Sequence, residues 1–117
     1  MQNQNSGQGD FSDLTVILPT LNEALTVGGM IDELCRQYAE CRIIVSDDGS
    51  SDGTRETVLK MNRGNVFLMD RRNAAEHGLT ASVLDGISAV KTDFFVVMDS
   101  DGQHPTDKIG EICAQLR

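Results

Sequence analysis

Carboxylates gather at three places in this 117-residue chain. Glu23 closes the run Pro19-Thr20-Leu21-Asn22-Glu23, Asp47-Asp48 opens Asp47-Asp48-Gly49-Ser50-Ser51-Asp52-Gly53-Thr54, and Asp99-Ser100-Asp101 opens a run through Gly102-Gln103-His104-Pro105. Acids crowded on one rim repel each other, and a divalent cation is the simplest compensation. Carboxylates suit Mg²⁺ or Mn²⁺. In Asp99-Ser100-Asp101 two carboxylates flank one residue, so an extended turn can aim both at one ion, with Gln103 and His104 near enough in sequence to contribute. An Asp-x-Asp triplet alone is weak, since surface loops carry it by chance; its place directly after an apolar strand strengthens it. The 47–54 run half-resembles a calcium loop, but Leu59 stands where a bidentate Glu is required and a strand precedes it. Asp and Gly also simply form turns, and Asp52 can cap a helix.

These residues need elements to position them. Leu14 to Leu18, Arg42 to Ser46, Asn65 to Met69 and Phe94 to Met98 are short apolar runs, and the first stops at Pro19. Near-continuous apolarity marks strands buried on both faces, as in a parallel sheet. Between them lie helical periods. Val27, Met30, Ile31, Leu34, Cys35 and Tyr38 share one face of a first helix, with Asn22 as its cap and Glu23 in its first turn. Thr54, Val58 and Met61 face inward on a second helix, and Leu79, Val83, Ile87 and Val90 on a third. A fourth begins near Asp107 with Ile109, Ile112, Cys113 and Leu116 inward. Four strand–helix alternations predict an α/β fold, an open, mainly parallel sheet with helices on both faces in the Rossmann manner. Ligands of such sheets bind beyond the carboxyl ends of the strands, where all three acidic clusters fall.

Composition bounds the rest. The chain is 39% hydrophobic and 24% charged, enough for one core and one domain. Residues 1–12 lack periodicity and read as a disordered tail, leaving 13–117 as the domain. Ten Lys and Arg against 18 Asp and Glu give a net charge of -8, which argues against a nucleic-acid partner. No apolar run approaches the ~20 residues that span a bilayer. Cys35, Cys41 and Cys113 include no Cys-x-x-Cys pair, so they read as free thiols in a reducing compartment. His77 and His104 have no nucleophile at a recognisable spacing. Arg71 and Arg72 either face phosphates or are solvated. Gly78-Leu79-Thr80-Ala81-Ser82 with Gly86 puts small residues on the third helix, for close packing on the sheet or approach to a ligand.

Taken together, Pro19-Thr20-Leu21-Asn22-Glu23, Asp47 through Thr54, Gly78-Leu79-Thr80-Ala81 with Gly86, and Met98 through Pro105 resemble family-two glycosyltransferases of the GT-A fold, nearest the dolichol-phosphate and polyprenyl-phosphate mannosyl- and glucosyltransferases. The resemblance runs from about Thr15 to Leu116. It implies that Pro19, Leu21 and Glu23 line a nucleotide pocket, that Asp48 contacts the base with Asp47 beside it, and that Ser100 touches the nucleotide sugar. It implies Asp99 and Asp101 as the catalytic, metal-binding pair and Gln103 as a further metal ligand. The metal, Mg²⁺ or Mn²⁺, would clamp the diphosphate of a nucleotide-sugar donor. A lipid phosphate is the implied acceptor, and the location cytoplasmic and peripheral at the membrane. Leu21 stands where the family commonly has an aromatic, Ser46 where it has an aliphatic residue, and Gly102 where it has a bulkier one. The family's catalytic domain is about twice this long. The chain is therefore expected to be the nucleotide-binding half, with the acceptor-facing half supplied by a membrane-associated remainder or a partner chain. Two other readings fit the pattern less well: a receiver-like Mg²⁺-binding signalling domain, whose acid pair would follow the first strand, and a non-catalytic nucleotide-binding remnant.

Overall fold

The computed structural model describes residues 11–99. The order is β1 (Leu14–Thr20), α1 (Val27–Gln37), β2 (Arg42–Asp47), α2 (Thr54–Met61), β3 (Val66–Asp70), α3 (Leu79–Ser88) and β4 (Phe94–Val97). The strands form one sheet in the order β3-β2-β1-β4, and every pairing is parallel. The chain steps from β1 outward to β2 and β3, then returns so that β4 lies on the other side of β1. The switch point is therefore between β1 and β4. The expected helix from Asp107 lies outside the described residues, as do Cys113, Ser100, Asp101, Gln103 and His104.

Side-chain alternation divides the sheet into two faces. Leu14, Val16 and Leu18 of β1 and Ile43 and Val45 of β2 share a core with Val27, Met30, Ile31 and Leu34 of α1 and Val58 of α2. The opposite face carries Ile17, Ile44 and Ser46 and meets α3: the Ser46 hydroxyl donates to the Ser82 carbonyl at 2.8 Å. All seven β1 residues are buried, as a central strand under helices on both faces requires.

Several boundaries differ from expectation for identifiable reasons. β1 continues through Pro19, which pairs with Ser46. The carbonyls of Asp13, just before β1, and of Ile17 accept from the N–H groups of Phe94 and of Met98, just past β4. Pro19 faces that same side, beyond the last paired residue Val97, where its missing N–H breaks no ladder bond. α1 begins at Val27 instead of near Asn22. Asn22 takes a left-handed conformation (φ 58°), and its side chain serves the neighbouring loop. Phe11, assigned to the tail, is buried and stacks edge-on against Tyr38 with ring centroids 5.0 Å apart, so the packed chain starts before residue 13. On α3 the residues pressed to the sheet are Ser82 and Gly86, while Leu79 is 69% exposed. A Cβ at Gly86 would lie 2.7 Å from Ile17 Cγ2, so only a small residue admits this approach.

Candidate nucleotide-binding site

The loops after β1 and β2 are laced together by side chains. The Asn22 N–H donates to Ser50 Oγ at 2.8 Å, and Asn22 Oδ1 accepts from the Ser51 N–H at 2.9 Å. The Glu23 N–H donates to Thr54 Oγ1 at 2.9 Å, and the Ala24 N–H to Asp52 Oδ2 at 3.1 Å. Asp, Asn, Ser and Thr suit such work because short polar side chains replace missing backbone partners in irregular segments. The 47–54 run thereby fixes the loop that holds Leu21 and Glu23.

Asp47 anchors this arrangement. Its Oδ1 accepts from Thr20 Oγ1 at 2.7 Å and Ser50 Oγ at 2.6 Å; its Oδ2 accepts from the Ser50 and Gly49 N–H groups and from Arg55 Nη1 at 2.9 Å. Burial pushes its pKa up, but the hydrogen bonds from Ser50, Thr20 and Arg55 outweigh that and hold it below 3.8. Asp47 is fully buried, and both of its oxygens accept from protein donors.

Asp48 points the other way. Oδ1 accepts from Arg71 Nη1 and from His77 Nδ1 at 2.7 Å, and Oδ2 accepts from the Gly78 N–H at 2.7 Å. Burial again works to raise its pKa, and the Gly78 N–H, His77 and Arg71 more than offset it, so the group is held ionised. One expectation changes here. Arg71 is neither solvated nor facing phosphate; it is 4% exposed with Asp48 and Asp85 as ion partners. His77 is paired with Asp48. Arg72 is the exposed one, bound to its neighbour Asp70.

Five expected site residues, Pro19, Leu21, Glu23, Asp48 and Asp99, line a single cavity of about 150 Å³ at the carboxyl ends of β1 and β4, closed on the far side by Gly78 and Leu79 at the start of α3. This is the topological switch point, where open α/β sheets hold ligands. A larger groove of about 400 Å³ runs over the α3 face beside β3, lined by Arg42, Ile44, Phe67 and Lys91 among others, and has no carboxylate. The smaller cavity carries the carboxylates Glu23, Asp48 and Asp99. Of the expected metal ligands only Asp99 is described. Among the described residues no group of three or more acids, histidines or cysteines is close enough to hold a metal, and the other expected ligands, Asp101 and Gln103, lie outside the described residues. An aspartate on the cavity wall fits a Mg²⁺ or Mn²⁺ ligand chemically.

A parallel α/β sheet with acids at its switch point defines an open, doubly wound class of domain, and comparison with solved structures agrees on the fold. Mannosyltransferase PcManGT from Pyrobaculum calidifontis, solved with GDP-Man and Mn²⁺, superposes with a TM-score of 0.75 at 21% identity over 89% of this chain and 32% of that one, which places the fold as GT-A. The sequence pattern of Glycosyl transferase family 2 matches residues 15–117, and the chain belongs to that family. The dolichol-phosphate mannosyltransferase of Pyrococcus furiosus is 31% identical over 106 residues, 89% of this chain and 30% of that protein. The Saccharomyces cerevisiae enzyme of the same name is 32% identical over 114 residues, 89% of this chain and 41% of that protein. The chain thus spans about a third of the length of these relatives. Family membership sets aside the receiver-like reading. Among the described residues no helix is long and apolar enough to cross a membrane.

Proposed function

We propose that this chain forms the donor-binding part of a glycosyltransferase that moves mannose or glucose from a nucleotide-diphosphate sugar to a polyprenyl or dolichyl phosphate. The observation that carries the proposal is the meeting of Pro19, Leu21, Glu23, Asp48 and Asp99 around one cavity at the switch point. Asp48 is held ionised at the end of β2, suited to accept N–H groups of a base. Pro19 and Leu21 offer apolar surface against a ring. Asp99, with Asp101 and Gln103, would hold Mg²⁺ or Mn²⁺. When bound, such an ion supplies Lewis-acid charge against the diphosphate and its departure. A lipid-phosphate acceptor is ionised near neutral pH and needs no strong base, so positioning carries much of the rate. The length that the relatives have beyond this match is where we place the acceptor surface, with the enzyme cytoplasmic and peripheral to the membrane that carries its acceptor.

The test is calorimetric titration of the chain with GDP and with UDP, with Mn²⁺ or with EDTA. Saturable binding of one of them that needs Mn²⁺, and that Asp99→Asn removes, is the expected result. Binding of neither nucleotide in the presence of Mn²⁺ would sink the proposal.

A further inference from the structure

Arg71 spends its guanidinium inside the protein. Its Nε donates to Asp85 Oδ2 at 2.7 Å, its Nη1 to Asp48 Oδ1 and to Ser82 Oγ at 3.0 Å, and its Nη2 to the Glu76 carbonyl at 2.6 Å. Four of the five N–H donors of an arginine are thereby used, leaving almost nothing for a phosphate. The four acceptors sit on three segments: the end of β2, the loop before α3, and α3 itself. Of its two ion partners only Asp48 lines the candidate cavity, where Ser82 also lies; the other, Asp85, is 52% exposed and is not among the lining residues.

We infer that Arg71 is a positioning residue that sets the Asp48 carboxylate against the incoming base. The inference rests on the proposed function and names a residue that acts through Asp48 without touching the donor. The register makes the pairing specific. Asp47 pairs with Asp70 across β2 and β3, so the next residues, Asp48 and Arg71, are cross-strand neighbours on the α3 face. The Arg71 N–H donates to the Asp47 carbonyl at 2.8 Å, which fixes the backbone from which the guanidinium reaches. Arg71 Nη1 and His77 hold one carboxylate oxygen, the Gly78 N–H holds the other, and the plane of the carboxylate is set. A lysine keeps the charge but lacks the planar fork, so it cannot hold Asp48, Ser82, Glu76 and Asp85 together.

A double-mutant cycle tests this, read as the dissociation constant for Mn²⁺ with GDP or UDP, whichever the chain binds, each variant being titrated below its unfolding midpoint. Arg71→Lys is expected to weaken binding about tenfold with Asp48 present and less than about twofold in the Asp48→Asn background, because an effect transmitted through one carboxylate disappears with it. Equal weakening in both backgrounds would mark Arg71 as a scaffold residue and overturn the inference, as would no weakening in either. Asp85→Asn offers a second route at an exposed position: it loosens the far side of the guanidinium, and unchanged nucleotide affinity there overturns the inference too. Wild-type chain that binds no nucleotide with Mn²⁺ overturns the proposed function and this inference together, whereas wild-type binding with an indifferent Arg71→Lys overturns the inference alone.

Discussion

Replacing Gly86 with alanine measures how closely α3 is seated on the sheet, and that seating matters because the start of the same helix walls the candidate cavity. The added methyl would stand 2.7 Å from Ile17 Cγ2 and 3.6 Å from two further atoms of that side chain. Ile17 is fully buried in the central strand, and a β-branched residue there has little rotamer freedom with which to yield. Overpacking of this kind costs about 1–3 kcal/mol. Alanine also returns about 1 kcal/mol of helix propensity, so the net loss is about 0–2 kcal/mol. Gly29 supplies the control: it lies in α1 with nothing within 4 Å of its added Cβ, so Gly29→Ala gains propensity alone, up to about 1 kcal/mol. The difference between the two variants isolates the clash at about 1–3 kcal/mol. Urea unfolding of both, compared at equal slope, reads that difference as a shift in midpoint. If Gly86→Ala stabilises the protein as much as Gly29→Ala does, the contact between α3 and Ile17 is not as close as stated.

Asp47→Ala removes the acceptor for five hydrogen bonds at a fully buried position and leaves Arg55 with only the Ser50 carbonyl and Asp70, so a loss of about 2–4 kcal/mol is expected in urea unfolding. The pH dependence follows from the same group. Asp47 and Asp48 have folded pKa values below their ordinary 3.8, so at acid pH the unfolded chain binds more protons than the folded one. Their stabilisation is fully present above about pH 4 and is lost as pH falls through the lowered folded values. Urea midpoints for the wild type should therefore fall steeply on the acid side, and Asp47→Asn should flatten that fall; equal slopes for both would show that Asp47 contributes nothing to it.

The central strands were legible because burial on two faces leaves a mark that needs no context: Leu14 to Leu18 and Arg42 to Ser46 read as apolar runs and are strands. What could not be read depends on partners distant in sequence. Phe11 has no periodicity around it, and its burial comes from Tyr38, 27 residues on. Asn22 looks like a helix cap because its type suits one. Its actual partners, Ser50 and Ser51, belong to another loop, and α1 starts later. Leu79 fits the helical stripe of α3 by spacing, yet the helix lies so near the sheet that Ser82 and Gly86 occupy the contact and Leu79 is turned outward. Spacing reports which residues share a face, and only the distance to the neighbouring layer decides whether large or small ones fit there.

The acid pair after β2 shows where more could have been read. Adjacent residues of a strand point to opposite faces, so continuing the alternation of Ile43 and Val45 places Asp47 on the side of α1 and α2, and continuing Ile44 and Ser46 places Asp48 on the side of α3. One carboxylate must therefore be absorbed by the core and the other left for the cavity. β3 repeats the division, with Asp70 beside Asp47 and Arg71 beside Asp48. Arg55 of α2 meets the first pair, at 2.9 Å from Asp47 and 3.9 Å from Asp70, while Arg71 meets Asp48 and Asp85 on the second face. Two arginines thus neutralise acids on opposite sides of one sheet edge. The compensation expected from a cation alone is shared with them, while Glu23 and Asp99 line the cavity where β1 and β4 part.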